Sequence, residues 1–166
     1  MRHPDELTGE FRLRGLKVTP QRTSVFRILH GDHTHPTAES VHRAVARDMP
    51  SVSLRTVYQT LNDLAAMGEI RALDVGTGST RFDPNIETAH DHAVCQVCGA
   101  VRDIRVPSTP VASAALPEGF EASATEVIVR GRCAACAAVD DRAAGVDAAV
   151  DVDAAAGPSP VAPTSA

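Results

Sequence analysis

All four cysteines of this chain fall in two C-x-x-C pairs, Cys95-Gln-Val-Cys98 and Cys133-Ala-Ala-Cys136. Two such pairs can bring four thiolates to the vertices of a tetrahedron, which Zn²⁺ accepts without geometric strain. The polar segment Met1–Glu10 has no apolar signal-peptide region, so a reducing cytoplasmic location is expected. That compartment disfavours a disulfide framework and favours metal. A thioredoxin-like redox motif would need only one pair, at a helix N-terminus. Rubredoxin-like iron is usually surrounded by aromatics, and these make up only 3% of the chain. Gly99, directly after the first pair, lets the backbone turn its amides toward sulfur. Structural zinc on Cys95, Cys98, Cys133 and Cys136 is the resulting expectation.

Upstream of the cysteines the apolar pattern is helical. Asp5–Arg14 reads as a helix with Leu7, Phe11 and Leu13 inward, stopped by Gly15. Thr19-Pro20 starts a second, Gln21–His30, with Val25, Phe26, Ile28 and Leu29 apolar. Thr37 caps a third that runs to about Arg47, and Ser53 caps a fourth, Leu54–Met67, with Val57, Leu61 and Leu64 on one face. After Gly68 the period changes. Ile70–Val75 and Ser79–Phe82 flank Gly76-Thr-Gly78 and predict a β-hairpin. Helices followed by a hairpin are the layout of a winged helix-turn-helix. The second half carries β-prone runs at Ala93–Cys95, Ala100–Val106 and Ala122–Val129, with a helix candidate at Thr109–Leu116.

Net charge is −5 over 166 residues, which argues against a nucleic-acid binder until it is resolved along the chain. Residues 1–82 carry eleven Lys/Arg against nine Asp/Glu, whereas 83–136 carry four against seven and 137–166 one against five. The front half is therefore free to meet phosphate. Residues 137–166 hold eleven Ala, five Asp and three Pro and are expected to stay disordered, since they cannot bury enough surface to offset ordering entropy. No apolar run reaches the roughly 18 residues that a membrane span needs.

Four stretches together carry a family resemblance: Gly15-Leu-Lys-Val-Thr-Pro-Gln-Arg22, Pro36-Thr-Ala-Glu39, Val52-Ser-Leu-Arg-Thr-Val-Tyr-Gln-Thr-Leu61 and His90-Asp-His-Ala-Val-Cys-Gln-Val-Cys-Gly99. Over about Leu7–Cys136 the chain resembles the ferric-uptake-regulator family of dimeric bacterial repressors. The resemblance implies an α+β fold with an N-terminal winged helix-turn-helix over 1–83, a hinge at 84–89 and a small C-terminal α/β dimerisation domain over 90–136. It also implies a homodimer on double-stranded operator DNA, with no catalytic role.

For DNA contact, small polar and donor side chains are expected at the start of the fourth helix: Ser53, Arg55, Thr56, Tyr58 and Gln59. Arg can hold guanine bidentately, Gln can pair with adenine, and a Tyr ring can touch a thymine methyl. In the family the position matching Tyr58 contacts DNA, Lys17 lies in a stretch that reaches it, and Arg22 is a phosphate candidate. Many relatives carry Arg or Asn where this chain has Gln59, which would shift base preference.

The resemblance further implies a regulatory metal held by His35, Asp83, His90, His92 and Asp103. His90 and His92 would share one face of a strand. Three imidazoles with two carboxylates suit Fe²⁺ or Mn²⁺ better than thiolate-seeking metals. Iron sensors of the family commonly carry Glu at the positions matching Asp83 and Asp103, and peroxide-sensing relatives carry Asp at both. The chain thus resembles the peroxide-sensing branch, in which bound Fe²⁺ reacts with H₂O₂ and a ligand histidine, here His35 or His90, is oxidised. A further sensory site of many relatives needs a His where this chain has Thr125, so no complete third site is expected.

Two other classes compete. A zinc hydrolase or deaminase would need His-x-Glu or His-Glu, and neither occurs. A zinc-stabilised interaction module, indifferent to metal level, would bind its partner whether or not a chelator that spares zinc is present.

Overall fold

The computed structural model describes residues 1–107, 116–123 and 125–139. By backbone contact, Met1–Arg132 forms one compact unit and the chain from Cys133 begins a second. Four helices open the first unit: α1 Pro4–Leu13, α2 Pro20–Leu29, α3 Ala38–Val45 and α4 Leu54–Ala66. Their starts are set locally. Thr19, Thr37 and Ser53 each accept a backbone N–H of the first turn, from Arg22, Ser40 and Thr56 at 3.3, 3.2 and 3.1 Å, which satisfies a donor that the helix cannot. The start of α1 is one residue earlier than the pattern predicts, because His3 and Glu6 form a reciprocal capping box around Pro4.

One core joins the four helices. Leu7, Phe11, Val25, Phe26, Leu29, Val41, Val45, Val57, Leu61 and Leu64 are buried there, and Phe11 and Phe26 meet at 4.8 Å between ring centroids. Leu13 is a correction: it is 84% exposed. Two residues beyond Phe11 it lies about 200° around the helix, on the opposite side from Leu7 and Phe11. His42 is structural, its Nε2 lying 3.0 Å from the Val52 carbonyl in the turn before α4. Truncating the centre of this core by Leu64→Ala is expected to cost about 2–5 kcal/mol, readable as a lower urea midpoint with the slope unchanged.

The predicted hairpin exists but is shorter than expected: β1 Arg71–Leu73 pairs antiparallel with β2 Arg81–Asp83, Arg71 opposite Asp83. Phe82 on β2 is buried in the helical core, which fastens the hairpin to the helices as a wing. A second sheet has the order β4-β3-β5. In it β3 Asp91–Cys95 runs antiparallel to β4 Val101–Ile104, with His92 opposite Asp103. The other neighbour, β5 Ile128–Gly131, runs parallel to β3. Val75 from beyond the wing strand packs with Val94 and Val101 of this sheet.

The strand expected at Ala122–Val129 is therefore displaced to 128–131. Its predicted start is exposed coil, and the amide of Val127 is taken by the Asp91 carboxylate at 2.9 Å. Of the helix candidate at Thr109–Leu116, residues 109–115 lie outside the described residues and Leu116 is a bend; of the tail expected to be disordered over 137–166, the part from 140 onward lies outside them, while 137–139 is helical and corrects the expectation there. In the second unit, 134–139 is helical. Among the described residues no helix is long and apolar enough to cross a membrane.

Candidate metal centre

Five side chains from three parts of the first unit converge. His35 comes from the loop between α2 and α3, Asp83 from the end of β2, His90 from the residue before β3, His92 from β3, and Asp103 from β4. His35 is buried and has φ +52°, a left-handed conformation uncommon for a residue with a Cβ. Its neighbours hold it there. The Pro36 carbonyl accepts the Phe82 N–H at 3.0 Å, and Arg81 donates to the His35 carbonyl at 3.4 Å. The wing strand thus fixes the loop that presents His35, and its own last residue is Asp83.

The ring of His35 lies 4.9 Å from that of His92 and 6.3 Å from that of His90, centroid to centroid, and His90 and His92 are 4.9 Å apart. Nε2 of His35 is 2.9 Å from Asp103 Oδ1 and 3.6 Å from Asp83 Oδ1. Nε2 of His90 is 3.1 Å from Asp83 Oδ2. Ligand atoms of His35, His90, His92 and Asp103 all lie within 4.8 Å of one another. Yet Nε2 of all three histidines, Asp83 Oδ2 and Asp103 Oδ1 are buried without a partner in hydrogen-bond geometry. Buried polar atoms are normally satisfied, and a cation held among His35, His90, His92 and Asp103, with Asp83 beside them, would satisfy these five together.

The surrounding contacts fix which atoms point inward. His90 Nδ1 meets the Thr88 carbonyl at 2.8 Å and His92 Nδ1 meets Glu126 Oε1 at 2.9 Å. In each ring this favours the proton on Nδ1 and a lone pair on Nε2, the arrangement of a metal-binding imidazole. Burial pushes the His35 pKa down, against the opposing pull of Asp83 and Asp103, so its ring is neutral and able to donate a lone pair at neutral pH. For Asp103, burial raises the pKa, but the Asn85 hydrogen bond and the nearby histidines outweigh it and hold the carboxyl below its ordinary value. The donor set, three imidazoles and two carboxylates, fits a divalent cation of intermediate hardness such as Fe²⁺ or Mn²⁺.

Asn85, Thr88 and Glu126 were not anticipated from the sequence. Asp83-Pro84-Asn85 did carry a signal, since an Asp that accepts the amide two residues on is a standard turn, and Asn85 N–H donates to Asp83 Oδ1 at 2.7 Å. Glu126 carried none.

The first cysteine pair closes the turn between β3 and β4. Gly99 N–H donates to the Cys95 carbonyl at 2.9 Å with Gly99 at φ +70°, the left-handed conformation that glycine adopts at no steric cost. Arg81 donates to the Gly99 carbonyl at 2.6 Å. One guanidinium therefore reaches both this turn and the His35 loop. In the second unit, Cys133 and Cys136 lie one helical turn apart, with Ala137 N–H donating to the Cys133 carbonyl at 3.0 Å.

The residues singled out for DNA contact lie on two segments. Ser53, Arg55, Tyr58 and Gln59 are exposed at the start of α4, with Thr56 half-buried between them, and Lys17 is exposed in the loop before α2. Tyr58 is 39% exposed and donates its hydroxyl to Glu39 of α3 at 2.7 Å. That bond holds the Tyr58 proton on, raising its pKa, and lowers that of Glu39. Ser53 and Thr56 bond each other at 2.9 Å, and Gln59 donates to Asp63 at 2.8 Å. Arg22 differs from the expectation. Its guanidinium pairs with Asp63 at 2.8 Å, both side chains only 14% exposed, and packs over Phe11 at 5.5 Å. It clamps α2 to α4 rather than standing free for phosphate.

Helices followed by a wing whose last residue stands beside a histidine–carboxylate cluster are the arrangement of a metal-responsive regulator of transcription. The chain belongs to the ferric uptake regulator family, whose model matches residues 13–130. It is 36% identical over 103 residues to the peroxide-responsive repressor PerR of Staphylococcus aureus, covering 62% of this chain and 69% of that one. Among solved structures it resembles the ferric uptake regulator of Helicobacter pylori, with TM-score 0.68 and 22% identity over 80% of this chain and 90% of that one. It is also similar to a zinc-bound manganese uptake regulator, with TM-score 0.63 and 28% identity over 80% and 99%.

Proposed function

We propose that this chain is a dimeric, metal-dependent repressor that binds operator DNA when Fe²⁺ or Mn²⁺ is held by His35, Asp83, His90, His92 and Asp103, and that peroxide releases it. The convergence of buried ligand atoms of His35, His90, His92 and Asp103 within 4.8 Å of one another, with Asp83 beside them, supports this reading. The ligands span the loop before α3, the end of the wing and the β3–β4 sheet, so holding one ion would fix the winged helix, 1–83, against the dimerisation domain, 90–136, across the hinge at 84–89. Lys17, Ser53, Arg55, Thr56, Tyr58 and Gln59 would meet DNA. Arg55 would reach base edges, and the Glu39 bond would orient the Tyr58 ring. The two cysteine pairs would together hold one structural Zn²⁺ that stabilises the dimerisation domain. Members of the family are DNA-binding dimers, which supports the homodimer.

The peroxide signal is favoured by the Asp pair at 83 and 103 and by the peroxide-responsive relatives. Bound Fe²⁺ would supply the reductant for peroxide. His35 and His90 would both bring an imidazole to the ion, so either ring is placed to be oxidised and lost as a ligand. The Fe²⁺-loaded protein treated with H₂O₂ is expected to leave DNA and to gain the mass of one oxygen atom on a His35 or His90 peptide, while the Mn²⁺ form stays bound and unmodified. If the Fe²⁺ complex remains on DNA with unmodified histidines, the signal is the level of iron or manganese instead.

A further inference from the structure

We propose that Asn85 is a positioning residue that restricts Asp103 to a single ligand oxygen; this rests on the metal reading above. Asn85 takes one oxygen from each carboxylate. Its backbone N–H donates to Asp83 Oδ1 at 2.7 Å, and its side-chain Nδ2 donates to Asp103 Oδ2 at 3.0 Å. What remains is one buried oxygen on each, Asp83 Oδ2 and Asp103 Oδ1, and these are the two that lack a hydrogen-bond partner beside the histidines. The amide is itself oriented, because Thr88 Oγ1 donates to Asn85 Oδ1 at 3.2 Å and so turns Nδ2 toward Asp103. Thr88 also meets His90 through its carbonyl.

The two carboxylates differ in how firmly they are held. Asp83 is buried, its side chain 1% exposed, and it is restrained by the backbone amide of residue 85, which alanine and serine retain. The Asp103 side chain is 25% exposed, and the Asn85 side chain is the partner of its outer oxygen. A carboxylate whose second oxygen is engaged by a hydrogen bond binds a cation through the other oxygen alone. Released from that bond, it can turn both oxygens to the ion and occupy one more position. Asn85 thus decides how many positions the protein leaves open at this centre, and hence whether a small oxidant can reach it.

Crystals of Mn²⁺-loaded protein test this, together with high-field electron paramagnetic resonance of the same samples in solution. The parent should show one Asp103 oxygen at bonding distance. Asn85→Ala should show both, with a changed zero-field splitting. Thr88→Val, an exposed change that spares the fold, should shift the splitting in the same direction by less, because it only frees the amide to rotate. Asn85→Ser, whose hydroxyl can donate, should recover part of the parent spectrum. One Asp103 oxygen and an unaltered spectrum in both Asn85→Ala and Thr88→Val would overturn the inference while leaving the metal centre standing. Failure of the parent to hold Mn²⁺ at these five residues would remove the metal reading and this inference with it.

Discussion

His35→Ala is expected to abolish metal-stimulated DNA binding while leaving zinc content, dimer and helical fold intact. His35 is the histidine of the set that lies before the wing, on the loop between α2 and α3, so its loss leaves Asp83 as the one proposed ligand from residues 1–83 and does not disturb the sheet. A ligand shifts a conformational equilibrium only by its differential affinity for the two states. If metal tightens DNA binding about 100-fold in the parent, the coupling is about 2.7 kcal/mol, a magnitude that one imidazole ligand can supply. In the variant the DNA dissociation constant should be the same with and without Mn²⁺. A variant that still responds to Mn²⁺ by the full factor would show that the ion is held elsewhere.

Cys98→Ser is expected to give the largest loss of stability. Where ligands from separate segments close around zinc, the binding free energy is folding free energy, of order 10–16 kcal/mol for small zinc modules. Cys98 sits in the turn that joins β3 to β4, and that turn is tied to the wing through Arg81. Zinc measured by mass spectrometry should fall to a small fraction of one equivalent, and the protein should sediment mainly as monomer. A stable dimer with a full equivalent of zinc in this variant would rule the four-cysteine site out.

What the sequence made legible was mostly local. Thr19, Thr37 and Ser53 were readable as caps because a cap bonds an amide only three residues away. The wing was readable from the change in apolar period after Gly68. His35, Asp83, His90, His92 and Asp103 were gathered by their resemblance to a family pattern rather than by any period in the chain. The failures involve contacts across long separations or around a helix. Arg22 looked free because Asp63, forty-one residues on, is a neighbour only after α2 and α4 pack. Glu126 reaches His92 because β5 runs parallel to β3, and a parallel pairing leaves no short-range trace. Leu13 failed for a simpler reason, since apolar character alone does not say which side of a helix a residue occupies.

One divalent ion per protomer, beyond zinc, is expected to switch DNA affinity. The direct measurement is fluorescence anisotropy of a DNA duplex selected by this protein from a random pool, titrated at fixed salt with chelator-treated, zinc-retaining protein as Mn²⁺ is raised. Salt must be fixed because phosphate contacts dominate the affinity. Affinity is expected to rise about 100-fold, the change being complete at one added equivalent per protomer and reversed by a chelator that spares the zinc. Affinity that stays constant from zero to excess Mn²⁺ and Fe²⁺ would contradict it.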